Sequence, residues 1–304
     1  MWRTTVARAL PGVAALALAC QSAVRHTSRV PAGVLAAAGV DSGTIALNGT
    51  QLYYESAGRG PAVVLLHGGN LDRRMWDAQF LPLAREFRVL RYDLRGYGRS
   101  GPADAPFQAH ADLRALLDSL GLARVSLVGL SGGGRIAIDF ALAYPDRVHR
   151  LVLAAPGLSG WVFARTDTAY FPEARRARER DDAGALGLSW LGSAYMLPAM
   201  EHPELVGPLR DMVTTNGKAW MGILKNGDKE RVANPPALHR TAELSMPTLL
   251  VVGSRDTPDI HAIADTLSAT VPDLRRVTFQ GAGHMVNMEQ PQRFTDVVRE
   301  FLRP

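Results

Sequence analysis

The sequence is poor in cysteine and lysine. Its 304 residues include one cysteine, Cys20, so the chain cannot form an internal disulfide or a cysteine metal cluster. Only three of the 34 basic residues are lysines, the arginines form no clustered stripe, and the net charge is +5, which does not indicate a nucleic-acid-binding protein. With 47% hydrophobic and 21% charged residues, the composition excludes a disordered protein and provides for a large buried core.

The N-terminal apolar run is too short to cross a bilayer. It occupies residues 9–19, after Arg3 and Arg8, whereas a spanning helix needs about 20 apolar residues. Pro11 and Gly12 interrupt the run and disfavour a buried N-terminal helix. A positive start followed by a short apolar run predicts a signal peptide over residues 1–20.

The residues around Cys20 indicate how this leader is processed. The sequence ALAC before Gln21 is similar to a bacterial lipoprotein cleavage box, which predicts a lipid on Cys20. An ordinary secretory leader, cleaved near residues 36–38, is the alternative. Residues 21–40 show no periodicity and are predicted to be a tether. The protein is therefore expected to be exported from a bacterial cell, as a periplasmic or membrane-anchored lipoprotein or else in secreted form.

Alternating apolar runs and helical patterns predict an α/β fold. Asn48-Gly49 between two apolar-rich runs predicts an opening β-hairpin. Continuous apolarity in the later runs predicts strands covered on both faces, as in a mainly parallel sheet. These runs span residues 62–68, 88–96, 125–131, 150–157, 248–254 and 275–284, and helices are predicted at 107–120, 132–144 and 291–302.

The alternation of strand and helix patterns stops between residues 159 and 245. This stretch has no strand pattern and carries several Trp, Tyr and Met residues, so it is predicted to be a helical cap over the carboxyl ends of the strands. The expected organisation is therefore one core over 41–158 and 246–304, interrupted by the cap at 159–245.

Ser131 lies in a nucleophile-elbow pattern. It stands in GLSGG between a predicted buried strand and a predicted helix, with Gly129 and Gly133 two residues away on either side. Such a sharp turn exposes the hydroxyl above the sheet and directs the helix N-terminus towards it. The alternative interpretation is a glycine-rich turn or phosphate loop.

A serine nucleophile needs a base and an acid that orients the base. His284 follows the last predicted strand in a glycine-containing loop, and Asp256 follows the strand before it, which gives the chain order Ser, Asp, His. Asp259 is the alternative carboxylate, although its position after Pro258 is typical of the first turn of a helix.

The sequence HGGN predicts an oxyanion-binding turn. Its glycines allow close backbone approach, so the amides of Gly69 and Gly132 are the expected oxyanion donors, each contributing about 3 to 4 kcal/mol in the transition state. His67 is expected to brace this loop, and Asn70 to add a polar contact. A simple turn is the alternative interpretation.

Taken together in chain order, HGG, YDLRGYGRSG at residues 92–101, GLSGG, GSRD and GAGH resemble the α/β-hydrolase superfamily. The resemblance covers about 44–158 and 246–303 and is greatest to carboxylesterases and enol-lactonases. It implies an eight-stranded sheet with an antiparallel second strand, a cap domain, and Ser131, Asp256 and His284 as a catalytic triad. Gly132 departs from the family, since many relatives carry a larger side chain there.

These features predict an enzyme that cleaves small carboxylic esters through an acyl-enzyme, without a metal or organic cofactor. A lactonase, thioesterase, C–C hydrolase, acyltransferase or cofactor-free perhydrolase could use the same triad. A catalytically inactive binding protein of this fold is the alternative from another class. The expected partner is a small ester or lactone, with no nucleic acid.

Overall fold

The computed structural model describes residues 39–164 and 171–303. The predicted leader, Cys20 and most of the predicted tether lie outside these residues. Eight strands form one sheet in the order β1-β2-β4-β3-β5-β6-β7-β8. The strands are β1 Asp41–Leu47, β2 Thr50–Ala57, β3 Ala62–Leu66, β4 Arg88–Tyr92, β5 Val125–Leu130, β6 Val148–Ala154, β7 Thr248–Gly253 and β8 Leu274–Phe279.

The sheet is parallel apart from β2. Strand β2 pairs antiparallel with both β1 and β4, and every other neighbouring pair is parallel. The predicted hairpin is present: Leu47 pairs with Thr50 across Asn48 and Gly49, which both adopt positive φ, as a two-residue hairpin turn requires. The predicted fold class is therefore confirmed.

The described residues contain ten α-helices. They are α1 Asp77–Leu83, α2 Ala109–Ser119, α3 Gly132–Ala143, α4 Phe171–Glu179, α5 Ala183–Ser189, α6 Leu197–Met200, α7 Pro203–Asn226, α8 Pro258–Thr270, α9 Val286–Glu289 and α10 Pro291–Leu302. None of these described helices has the length and hydropathy needed to cross a membrane.

Two apolar cores lie on opposite faces of the sheet. In β3, Val64 and Leu66 contribute to one core, which also contains buried residues of α2, α3 and α8. Val63 and Leu65 contribute to the other, together with α1 and α10. Successive side chains of a strand point to opposite faces, so the continuous apolar runs follow from burial on both sides.

We call α4–α7, together with the segments that join them between residues 171 and 226, the cap. It follows β6, and α7 packs into the second core through Leu209, Met212 and Val213. Within the cap, α5 and α7 are in backbone contact, because a Cβ on Gly217 would lie 1.8 Å from the Ala183 carbonyl oxygen. The cap is therefore docked on the core and closely packed internally. The predicted domain boundaries remain predictions.

Candidate active site

Ser131 lies at a sharp turn between β5 and α3. Its φ of 54° and ψ of −117° are unusual for a residue with a side chain. The neighbouring glycines permit this turn, since a Cβ on Gly133 would lie 2.2 Å from the Leu66 carbonyl oxygen and one on Gly129 2.4 Å from that of Gly133. The amide of Ser131 donates to Ala154 O at 3.0 Å, and its carbonyl accepts from Gly157 N at 2.9 Å. Surrounding hydrogen bonds thus hold the strained residue in place.

The structure brings Asp256 and His284 together. Asp256 follows β7 and His284 follows β8, and His284 Nδ1 lies 3.0 Å from Asp256 Oδ2 and 3.1 Å from Oδ1. Both residues are buried. The Thr257 amide also donates to Asp256 Oδ1, at 2.7 Å. This geometry can fix the imidazole tautomer with the proton on Nδ1, which leaves Nε2 as the basic nitrogen.

The hydrogen bonds of Asp259 go to groups other than His284. Its Oδ1 accepts a hydrogen bond from Trp161 Nε1 at 3.2 Å, and its Oδ2 accepts from the Ala164 amide at 3.0 Å. It belongs to the first turn of α8. The competing carboxylate therefore holds the chain that leaves β6, while Asp256 is the one placed beside the imidazole.

The backbones of Gly69 and Gly132 approach each other closely. A Cβ on Gly132 would lie 3.4 Å from Gly69 N, and one on Gly68 would lie 3.5 Å from Ser131 Cβ. Within the part of the chain that the structure describes, neither the Gly69 nor the Gly132 amide donates to a protein acceptor. Two amides so placed beside Ser131 can receive a negatively charged oxygen.

His67 braces the loop that carries Gly69. Its Nε2 accepts a hydrogen bond from the Leu94 amide at 2.9 Å, so its Nδ1 carries the proton and donates to Gly68 O at 2.8 Å. Burial lowers the pKa of His67 and opposes its protonation. A neutral histidine with both nitrogens engaged is suited to holding the loop and not to proton transfer.

Ser131 and His284 line one cavity of about 630 Å³, together with Gly69 and Gly132. The core and the cap both contribute to its mainly apolar wall, through Leu71, Leu130, Trp190, Tyr195, Met196, Ile260 and Met285. The ring of Tyr195 meets that of His284 edge to face, with centroids 4.9 Å apart, and stacks on Trp190. The site can therefore enclose an apolar group beside the hydroxyl and the imidazole.

Sequence reasoning missed Arg135 and Tyr195 as cavity residues. Arg135 lies one helical turn after Ser131, lines the cavity and forms an ion pair with Glu230 at 2.6 Å. Its spacing from Ser131 could have indicated its position. Tyr195 comes from the cap, and no local signal relates it to His284. In the described ranges, no group of three or more His, Cys, Asp or Glu side chains is arranged to hold a metal ion.

Comparisons with known proteins agree with this architecture. Residues 63–297 match the model of the alpha/beta hydrolase family. Carboxylesterase YbfK of Bacillus subtilis is 28% identical over 80% of this chain and 80% of its own length. Among solved structures, the enol-lactonase from Burkholderia xenovorans LB400 superposes with a TM-score of 0.71 at 27% identity, covering 86% of this chain and 99% of that one.

A thermophilic esterase from Thermogutta terrifontis is 31% identical to this chain, with a TM-score of 0.68 over 86% of this chain and 98% of its own. The family match covers most of the sequence, and the named relatives are hydrolases with the same fold. The protein is therefore an enzyme, a hydrolase that belongs to the alpha/beta hydrolase family.

Proposed function

We propose that the protein cleaves small carboxylic esters through an acyl-enzyme, with Ser131, His284 and Asp256 as its catalytic triad. One observation carries the proposal: His284, which is paired with Asp256, lines the same cavity as the strained Ser131 elbow. The backbones of Gly69 and Gly132 approach each other beside Ser131, and their amides are the expected oxyanion donors. Similarity to a carboxylesterase and to an esterase of solved structure supports the same chemistry.

The proposed reaction has two halves. His284 Nε2 takes the Ser131 proton as the serine oxygen bonds to the ester carbonyl carbon, and the carbonyl oxygen becomes an anion beside the Gly69 and Gly132 amides. The carbon–alkoxy bond then breaks, and the alcohol leaves with the proton from His284. Water, deprotonated by His284, attacks the acyl-enzyme and releases the carboxylic acid and Ser131.

A fluorophosphonate probe tests this proposal, because only an activated serine reacts readily with it. We expect one label per chain, located on Ser131 by mass spectrometry, together with loss of ester hydrolysis in proportion to labelling. The Ser131→Ala variant and heat-denatured protein serve as controls and should remain unlabelled. A label on another serine, or none, would refute the assignment.

A lactone is the second candidate substrate. Similarity to the enol-lactonase from Burkholderia xenovorans LB400 favours it, and lactone opening needs the same serine attack on an acyl carbon. Rates measured across short-chain esters, lactones and thioesters with one enzyme preparation would rank the three bond types. The Ser131→Ala variant again gives the background for each substrate.

Export remains a proposal that depends on the sequence before residue 39. We propose that the mature enzyme is exported and that Cys20 carries a lipid, with the residues after it as a tether. Cys20→Ser should release an active enzyme from the membrane fraction. Soluble secretion of both forms would favour an ordinary leader, and retention of residues 1–19 in the native protein would exclude both routes.

A further inference from the structure

A buried asparagine of the cap is fully engaged at the boundary with the core. Asn216 lies on α7 and is 2% exposed. Its Nδ2 donates to Asp72 Oδ2 at 3.0 Å and to Met212 O at 2.8 Å, while its Oδ1 accepts from the Gly98 amide at 2.7 Å. Asp72 and Gly98 belong to two different core loops. One side chain therefore ties the cap to both loops.

The first of these loops carries Gly69. Asp72 follows Gly69 by three residues, is completely buried, and caps the single helical turn Arg73–Trp76 by accepting from the Arg74 amide at 3.1 Å. Burial alone would raise the pKa of Asp72, but hydrogen bonds and charge from Arg74, with the Asn216 bond, hold it below its usual range. The carboxylate is therefore a permanent anchor for this end of the loop.

The second loop supports the first from the other side. Gly98 follows Tyr97, whose ring meets the ring of His67 edge to face, with centroids 5.5 Å apart. His67 in turn donates to the carbonyl of Gly68, the residue before Gly69. The loop leaves little room for movement here, since a Cβ on Gly98 would lie 2.2 Å from Asp93 Oδ2.

Both supports of the Gly69 segment thus converge on the Asn216 side chain. Resting on the proposed function, we infer that Asn216 is a positioning residue: docking of the cap through this amide sets the Gly69 N–H at the place where it meets the oxyanion. An oxyanion donor acts only when it is held close to its working distance, so a small displacement of the loop reduces the rate. Ground-state binding in the apolar cavity does not depend on that N–H to the same degree.

This role differs from that of an asparagine that only fastens α7 to the core. Loss of a fastening residue lowers stability and the number of active molecules, but the surviving sites keep their rate. Loss of a positioning residue lowers the rate of every folded site. The rate per labelled site separates the two roles.

Asn216→Ala and the milder Asn216→Ser are the test variants. Ser189→Ala is the matched control, because Ser189 is a buried cap residue whose hydroxyl donates within its own helix, to Leu186 O at 2.7 Å. Fluorophosphonate labelling to completion counts the active sites. Ester hydrolysis then gives kcat per site and KM, and a trifluoromethyl ketone, which forms a tetrahedral adduct with an activated serine, reports on the oxyanion donors.

We expect kcat per labelled site to fall about 10- to 100-fold in Asn216→Ala, less than complete loss of one oxyanion donor, with KM changed by about twofold at most. The kcat per labelled site of Asn216→Ser should lie between the values of Asn216→Ala and the unmodified enzyme. Binding of the trifluoromethyl ketone should weaken in parallel with kcat. Ser189→Ala should keep the unmodified kcat per site.

An unchanged kcat per site in both Asn216 variants, or an equal loss in Ser189→Ala, would overturn the assignment of Asn216 and leave the triad intact. Failure of the unmodified enzyme to label on Ser131 would overturn the proposed function, and the role of Asn216 with it.

Discussion

Two carboxylates three residues apart show how hydrogen-bond partners separate the roles of similar residues. Asp256 faces His284 Nδ1, whereas Asp259 is occupied by Trp161 Nε1 and the Ala164 amide. Each carboxylate can orient only the group that reaches it, so distance along the chain does not decide which one serves the imidazole. The two aspartates therefore make a matched pair for mutation.

Asp256→Asn should lower ester turnover by about 10⁴-fold, because an amide can no longer hold the imidazole in the tautomer that leaves Nε2 basic. Asp259→Asn should keep kcat within about tenfold, since Asp259 lines the cavity but bonds to the chain after β6 and not to His284. Steady-state rates normalised to fluorophosphonate-labelled protein give both values. Near-normal activity in Asp256→Asn would transfer the role to another carboxylate.

At the scale of elements, the turn from β5 into α3 depends on backbone contacts that exclude a Cβ. The position of Gly133 is the clearest case, as a Cβ placed there would meet the carbonyl oxygens of Leu66 at 2.2 Å and His67 at 2.6 Å. Helix α3 is therefore seated directly on the end of β3, next to the loop of Gly69. This close contact between α3 and the end of β3 fixes Ser131 and the Gly69 loop relative to each other.

Gly133→Ala should lower the free energy of unfolding by about 3 kcal/mol, because backbone atoms cannot move aside as flexible side chains do. Gly222→Ala is the opposite case: this half-buried position inside α7 has open space around a Cβ, so alanine should raise the free energy of unfolding by about 0.5 to 1 kcal/mol. Urea unfolding measures the free energy of unfolding of both variants, and an unchanged m-value shows that the two-state comparison holds. Equal effects would argue against a close contact at the elbow.

At the scale of the whole molecule, stability depends on histidines that folding keeps neutral. Burial lowers the pKa of His67, and burial is also the largest cause of the lowered pKa of His110. Such groups take up protons in the unfolded chain near pH 6.5 before they do so in the fold. Their contribution is thus complete above about pH 6.5 and is lost as the pH falls towards the folded-state pKa.

We therefore expect the contribution of these two histidines to the free energy of unfolding to fall from about pH 7.5 to about pH 5. His67→Gln should reduce this slope, because glutamine can accept from the Leu94 amide but does not titrate. His239→Gln, at an exposed position, is the control and should leave the slope unchanged. Denaturant unfolding at several pH values gives the slopes, and an unchanged slope in His67→Gln would contradict the assignment.

The strands and the main helices were predictable because their signals are local. A strand covered on both faces needs a continuous apolar run, and β3 and β5 are the plainest examples. Ser131 was predictable for a similar reason, since a positive-φ turn followed by a helix requires glycines at fixed offsets. The hairpin at Asn48-Gly49 also follows from the conformational preferences of two adjacent residues.

The sequence by itself therefore determined the α/β class, the elbow and the residue types available for a triad, because each depends on backbone preference or apolar periodicity within a few residues. The sequence already favoured Asp256, because Asp259 has the position of a helix first turn, and the structure sets its contact with His284. Tertiary structure alone decided that Tyr195 covers the imidazole and that Asn216 joins two loops. These contacts link segments far apart in the chain, and their energies depend on distance and burial that no local pattern encodes.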